Sequence, residues 1–102
     1  GAAAALVAAA QTGERIGAIV SRGGRPDLAI DVLPDVRAPT LFVVGSRDTS
    51  VLEMNRQAAV MMTVENQLEI VEGATHLFEE PGALEQVADL ASVWFIDHLV
   101  KR

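Results

Sequence analysis

The sequence predicts an α/β domain in which a parallel sheet of about three strands carries helices on both faces. Three observations support this fold class. Short apolar runs rich in β-branched residues alternate with helical patterns, the elements follow the order helix, strand, short helix, strand, helix, strand, helix, and 50% of the 102 residues are hydrophobic. Strands that alternate with helices pair in parallel through crossover connections. A chain of this length is expected to form one domain, residues 1–102.

The first half of the chain contains two predicted helices and two predicted strands. Gly1–Gln11 is rich in alanine, the strongest helix former, and this helix starts without a residue that caps its first turn. Ile16–Val20 is a short apolar run typical of a strand buried on both faces. After a loop at Ser21–Pro26, a short helix is predicted at Asp27–Val32, and Thr40–Val44 is the clearest strand of the sequence.

The second half continues with a helix, a strand and a helix. A polar loop, Gly45–Ser50, precedes a helix predicted at Val51–Met62. The third strand, Gln67–Val71, is followed by the loop Glu72–Pro81. The last helix is predicted at Gly82–Val100, with an apolar stripe at helical spacing formed by Leu84, Val87, Ala88, Ala91, Phe95 and Leu99.

Charge and composition exclude several classes of function. The net charge of −6 disfavours binding to phosphate backbones, so no nucleic-acid partner is expected. The chain has no cysteine, which excludes disulfides, thiolate zinc sites and a thiol nucleophile within it and suits a cytoplasmic location. The longest apolar run, Ala2–Ala10, is too short to span a membrane. The two histidines are far apart and lack an acidic cluster, so no metal site is expected. The sequence also lacks a glycine-rich phosphate loop, so no nucleotide cofactor is expected.

Asp48 and His76 are the strongest candidates for chemistry. Asp48 follows the second predicted strand and His76 lies in the loop after the third, so both belong to the carboxyl edge of the sheet, where functional loops of such folds lie. A carboxylate that touches one imidazole nitrogen sets the tautomer and leaves the other nitrogen to act as a general base. The alternative is structural: Asp48 caps the next helix and His76 packs in a turn.

Other polar residues near these loops have weaker claims. Arg22 and Arg25 lie on a glycine-rich loop, where guanidinium groups could bind a carboxylate of a substrate. The preferred interpretation is that Arg25 is solvated and Arg22 pairs with a nearby acid. Ser21, Ser46 and Ser50 are predicted on carboxyl-edge loops, but none sits on a strand-to-helix glycine turn. Glu79-Glu80 is expected to open the last helix, because carboxylates favour helix amino termini; modulation of His76 is the alternative.

Local phrases around these residues resemble a known family. Ala38–Asp48 (APTLFVVGSRD) and Val71–Phe78 (VEGATHLF) look like the acid and histidine motifs of the α/β-hydrolase fold, in which the acid and then the histidine follow the nucleophile along the chain. The stretch His76–Leu84 (HLFEEPGAL) and the stretch Ser21–Leu28 (SRGGRPDL) are more specific. They resemble dienelactone hydrolase-like proteins, including those joined to phosphoribosyltransferase domains. The resemblance extends over essentially the whole chain.

The resemblance implies that the chain is the carboxyl-terminal portion of an α/β-hydrolase fold. Asp48 would then be the acid and His76 the base of a triad that hydrolyses a small-molecule ester, lactone or thioester without a cofactor or metal. The family nucleophile stands in a G-x-S-x-G turn, and the match makes Gly1 the last glycine of that turn. The nucleophile is therefore expected just before residue 1, and the chain alone is expected to be inactive.

Two further expectations follow from this reasoning. If the partner of Ile16–Val20 is missing, that strand has an unpaired edge, which either a missing amino-terminal half or a second copy of the chain would close. A different class of function is a non-catalytic, flavodoxin-like interaction or regulatory domain, in which Asp48 is similar to a phosphoacceptor aspartate. Such sites need further acids near the first strand, where this sequence has arginines.

Overall fold

The computed structural model describes residues 17–100 and contains a three-stranded parallel sheet, which confirms the predicted fold class. The strands are β1 (Ile19–Arg22), β2 (Thr40–Gly45) and β3 (Asn66–Val71). Their spatial order is β1-β2-β3, so β2 is central. In this register Thr40 of β2 lies opposite Ile19 on one side and Asn66 on the other, which aligns the carboxyl ends of the strands.

Four helical segments accompany the sheet in residues 17–100. A 3₁₀ helix covers Pro26–Asp35, α1 covers Thr49–Met61 and α2 covers Ala83–Phe95. A π-helical segment, Ile96–Val100, continues α2 directly. These bounds agree with the predicted helices to within a few residues. The predicted helix Gly1–Gln11 lies outside the described residues.

Helices cover both faces of β2, whose residues are all buried. On one face, the 3₁₀ helix and α1 enclose an apolar cluster made of Ile19, Leu33, Val36, Ala38, Phe42, Ala58 and Met62. On the other face, α2 packs over a cluster made of Leu41, Val43, Val71, Ala74, Phe78, Ala83, Val87 and Trp94. The two clusters share no residue, since successive side chains of β2 point to opposite faces.

The predicted position of the first strand was wrong by about three residues. The strand starts at Ile19 and extends through Arg22, and Ile16 lies outside the described residues. Pairing with β2 sets its position, since the N–H of Ile19 donates to the carbonyl of Pro39 over 2.9 Å and Arg22 pairs opposite Val43. Buried and more exposed residues alternate along the strand, whereas the continuous apolar run predicted a strand buried on both faces. The prediction therefore placed the strand too early in the chain.

The predicted apolar stripe of the last helix was only partly right. The buried residues of α2 are Ala83, Val87 and Trp94, and of these only Val87 belonged to the stripe. Leu84 and Leu99 are each 51% exposed, and Phe95 is also exposed. The physical reason is that apolar residues occupy more than one side of this helix, so spacing alone could not identify the side that faces the sheet.

No helix among the described residues is long and apolar enough to cross a membrane.

Candidate active site

The loops that follow β2 and β3 are joined closely at the carboxyl edge of the sheet. Gly45 ends β2 with no room for a side chain, since an added Cβ would collide with the carbonyl group of Ala74. Beyond it, the N–H of Ser46 donates to the carbonyl of Val71 over 3.0 Å. The N–H of Arg47 donates to the carbonyl of Ala74, also over 3.0 Å. These backbone contacts bring the neighbouring residues Asp48 and His76 close together.

Asp48 stands at the amino end of α1 but does not cap it with its side chain. Its backbone carbonyl accepts the N–H of Leu52 over 2.8 Å, which starts the helix. Its carboxylate makes no bond to the first turn of the helix, and the side chain is 14% exposed. The helix-capping explanation of Asp48 is therefore wrong, and the carboxylate is available for another partner.

That partner is His76, whose Nδ1 lies 2.7 Å from Oδ2 of Asp48. An ionised carboxylate only accepts hydrogen bonds, so this contact requires the proton of a neutral ring to be on Nδ1. The lone pair is then on Nε2, which has no hydrogen-bond partner among the described residues, and the His76 side chain is 56% exposed. The geometry is that of an oriented imidazole with one nitrogen free to accept a proton.

The loop after β1 reaches the same histidine. Gly23 has a φ of +59°, and an added Cβ would lie 3.4 Å from the carbonyl oxygen of His76 and 3.6 Å from its Nδ1. The N–H of Gly23 donates to the carbonyl of Val43 over 2.7 Å, so this loop continues the ladder of the sheet. Asn55, fully buried in α1, donates to the carbonyl of Gly24 over 3.1 Å and holds the loop against the helix. All three carboxyl-edge loops therefore converge on His76.

The backbone around His76 is held by an acid four residues later. Oε1 of Glu80 accepts the N–H of Thr75 over 3.0 Å, and Oε2 accepts the hydroxyl of Thr75 over 2.7 Å. The hydrogen bonds from Thr75 hold the pKa of Glu80 below its ordinary value, and the charge of Arg47 acts in the same direction. The expectation that Glu80 opens the last helix was wrong for its side chain, since α2 begins at Ala83 and the carboxylate is engaged by Thr75.

The two predicted arginines lie at the end of β1 and in the loop that follows it. Arg22 is exposed at the end of β1 and lines a groove of about 460 Å³ with Val20, Leu84, Val87, Ala88 and Ala91. Arg25 is exposed in the loop that follows. The groove contains neither Asp48 nor His76, so a role of either arginine in substrate binding remains a prediction.

None of the candidate serines is hydrogen-bonded to His76 in the part of the chain that the structure describes. The hydroxyl oxygen of Ser46 accepts the N–H of Gly73 over 2.7 Å and thus joins the two loops. Ser21 is buried within the sheet, and its hydroxyl has no hydrogen-bond partner among residues 17–100. Ser50 is exposed in the first turn of α1.

The second histidine belongs to a different cluster at the amino edge of the sheet. Nδ1 of His98 lies 2.9 Å from the carbonyl of Trp94, and Nε2 lies 3.0 Å from Oε2 of Glu65. Both partners are acceptors, so the protonated ring satisfies both. Burial on its own lowers the pKa of His98, but these two hydrogen bonds, together with the charges of Glu65 and Asp97, outweigh it and raise the pKa. Among residues 17–100, no group of three or more histidine, cysteine or acidic side chains could hold a metal ion.

Sequence reasoning missed two contributions to this site. The close approach of Gly23 to His76 depends on the pairing of β1 with β2, which no local pattern reveals. The bond between Thr75 and Glu80 has a sequence signal in hindsight, a hydroxyl residue five positions before an acid around the histidine. That spacing is also compatible with an acid at a helix start, the interpretation preferred from sequence.

Comparison with known proteins identifies relatives that are longer than this chain. No family model matches it. Two curated proteins of Mycobacterium tuberculosis, from strains H37Rv and CDC 1551, are 63% identical to it over 99 residues. Both are provisionally named phosphoribosyl transferases, and the match covers 97% of this chain but 22% of each relative. The chain thus spans less than a quarter of the curated relatives that it matches.

A solved structure shares the fold closely. The crystal structure of a dienelactone hydrolase from Anabaena variabilis ATCC 29413 matches with a TM-score of 0.93 and 55% sequence identity. The match covers 95% of this chain and 45% of that one. Identity and shape agree over nearly all of the present chain, and the three-stranded parallel sheet with its helices is common to both. Over 95% of its length, the chain therefore has the fold of a part of a dienelactone hydrolase and resembles that protein in sequence.

Proposed function

We propose that this chain supplies the acid and the base of a hydrolase that cleaves small esters, lactones or thioesters. Asp48 orients the ring of His76, and His76 is the general base. The observation that carries this proposal is the 2.7 Å contact between Nδ1 of His76 and the Asp48 carboxylate. Nε2 of the exposed ring has no hydrogen-bond partner among residues 17–100. This arrangement matches the requirement for a base that is oriented by a carboxylate.

The proposed chemistry is acyl transfer to water in two steps. Nε2 of His76 takes the proton of a nucleophile hydroxyl as its oxygen bonds to the substrate carbonyl carbon, and then gives that proton to the departing alkoxide or thiolate. In the second step, His76 takes a proton from water, whose oxygen attacks the acyl group, and returns the proton to the nucleophile. Asp48 keeps the ring in one orientation throughout and remains ionised.

We propose that the nucleophile is contributed from outside these 102 residues. The hydroxyl of Ser46 is engaged by Gly73, and Ser21 is buried, so neither is presented to Nε2 of His76. Among residues 17–100, β1 pairs with β2 alone, and its other edge is the proposed docking place for the remainder of the fold, or for a second copy of the chain. The substrate is a small molecule in the cytoplasm, with Arg22 and Arg25 as candidate contacts to its acid group.

The transferase named in the curated relatives is not the activity that we propose. The match covers 22% of those proteins, so the name describes much more chain than is present here. The described residues instead offer an oriented imidazole, which serves proton transfer in hydrolysis. A phosphoacceptor role for Asp48 is disfavoured, because its carboxylate is engaged by His76 and no acidic cluster lies beside it among the described residues.

The first test uses the chain itself. We expect hydrolysis of an activated ester by the purified chain to equal that of its His76→Ala variant, because no nucleophile is activated. A fluorescent phosphonate probe should label no serine. Ester hydrolysis that depends on His76, together with a labelled Ser21, Ser46 or Ser50, would show that the nucleophile lies within the chain and would overturn its proposed origin.

The decisive test uses a chimera. The matching 45% of the Anabaena variabilis enzyme would be replaced by this chain, so that the rest of that enzyme provides the nucleophile. His76→Ala and Asp48→Asn should each lower kcat by a factor on the order of 10³ or more, while His98→Gln, remote from the contact, serves as the matched control. Full activity of the His76→Ala chimera would refute the proposed function.

A further inference from the structure

We propose that Glu80 is a positioning residue for His76 and acts through Thr75. This inference rests on the proposed function, since it assumes that the orientation of His76 matters for proton transfer. Glu80 touches neither the histidine ring nor Asp48. Its effect is on the backbone that carries the ring.

The geometry is a two-point clasp that closes the loop containing His76. Both carboxylate oxygens of Glu80 are used by one residue, since Oε1 accepts the N–H of Thr75 over 3.0 Å and Oε2 accepts its hydroxyl over 2.7 Å. The carbonyl of Thr75 also accepts the N–H of Phe78 over 3.1 Å. Thr75 is therefore held at its N–H, its hydroxyl and its carbonyl, immediately before His76.

The clasp explains how an exposed ring keeps one orientation. With a side chain that is 56% exposed, His76 has few packing contacts, and the bond from Nδ1 to Asp48 is its one described polar contact. That bond depends on where the backbone places the ring. On the far side of His76, Phe78 is 2% exposed and has a φ of +55°, a conformation that a bulky residue keeps only when its surroundings impose it.

The charge of Glu80 suits this role. Its pKa lies below the ordinary value of 4.5, chiefly because the hydroxyl and the N–H of Thr75 donate to it, so it is ionised at neutral pH. An ionised carboxylate accepts at both oxygens, whereas a glutamine in the same place accepts at only one. Glu79, next to it, is exposed and makes no described bond, which provides a matched control.

The test is nuclear magnetic resonance of the chain, which has two histidines. The ¹⁵N shifts report how much of neutral His76 carries its proton on Nδ1, and His98 is the internal reference. In the native chain Nδ1 should be protonated. Thr75→Val keeps the shape but removes the hydroxyl, and we expect it to shift His76 towards the Nε2-protonated tautomer. Thr75→Ser, which keeps both donors, should restore the native pattern.

Glu80 is tested in the same way. Glu80→Gln should change the His76 shifts as Thr75→Val does, while Glu79→Gln should leave them unchanged. Circular dichroism and the His98 signals identify any variant that has lost its fold, and Thr75→Val then carries the test. Unchanged His76 shifts in folded Thr75→Val and Glu80→Gln would overturn the inference.

Activity of the chimera separates this inference from the proposed function. If both hold, Thr75→Val lowers kcat by about tenfold or more with KM unchanged, and Thr75→Ser restores it. If the clasp does not position His76, then His76→Ala abolishes activity but Thr75→Val does not lower it. If the proposed function is wrong, His76→Ala leaves activity intact even though Thr75→Val changes the His76 shifts.

Discussion

Gly45→Ala should destabilise the chain strongly, although alanine differs by a single methyl group. The added Cβ would meet the carbonyl of Ala74 and would lie 2.6 Å from its carbonyl carbon and 2.9 Å from the carbonyl oxygen of Thr75. All of these atoms belong to the backbone, so no side-chain rotation relieves the collision. The loops after β2 and β3 must separate, which breaks the hydrogen bonds that Ser46 and Arg47 donate across the junction.

The magnitude follows from these two effects. Overpacking costs about 1–3 kcal/mol and each lost backbone hydrogen bond about 0.5–1.5 kcal/mol, so we expect the free energy of unfolding to fall by about 2–6 kcal/mol. Urea unfolding followed by circular dichroism measures this change. Gly73→Ala is the matched control: at a φ of +79° with nothing within 4 Å, it carries only conformational strain, about 1–2 kcal/mol. A Gly45→Ala chain more stable than Gly73→Ala would refute the steric argument.

Three further predictions concern the core and the amino edge. The pKa of His98 is raised above its ordinary 6.5, so the stability that this residue contributes should be complete below that pH and lost as the pH rises through the folded-state pKa. Glu65→Gln should make the rise of the His98 pKa smaller in an NMR titration. Titration of His98 below 6.5 in the native chain would contradict this prediction. Phe42→Ala should cost about 3–5 kcal/mol in urea unfolding, because the side chain is fully buried. Trp94→Phe removes the hydrogen bond from Nε1 to the carbonyl of Pro39 and should lower the free energy of unfolding by only about 0.5–1.5 kcal/mol. The loss is small because that carbonyl still accepts the N–H of Ile19. A larger loss would show that the packing of the indole ring dominates there.

The central strand was predictable because it is buried on both faces, so that its apolar run and its position in the sheet coincide. Thr40–Val44 was predicted, and the strand ends one residue later at Gly45. The first strand was not placed correctly, because an edge strand alternates between buried and exposed residues and takes its position from its neighbour. Ser21 is 3% exposed although it is polar, and pairing with β2 decides this, not local hydropathy.

The same distinction applies to the site. The contact between Asp48 and His76 could be predicted, because the carboxyl ends of adjacent parallel strands always meet at one edge and both residues follow such strands. The approach of Gly23 and the clasp by Glu80 could not, because they depend on loop conformations. Those conformations are set by long-range backbone hydrogen bonds and by the positive φ of Phe78. Nothing in the residue type of a phenylalanine predicts a positive φ.

The close junction of the two loops also has a consequence for the order of folding. Asp48 and His76 are 28 residues apart, and the bonds that join their loops come from the same β2–α1–β3 stretch. The entropic cost of closing a loop rises with its length, so this contact closes at a lower cost than contacts to segments farther along the chain. We therefore expect the acid and the base to find each other before any more distant segment docks. A segment that docks later, from the same chain or another, would bind to a chain in which Asp48 and His76 are already in contact. When such a segment is supplied separately and mixed with this chain, the rate at which function is recovered should follow the rate of association.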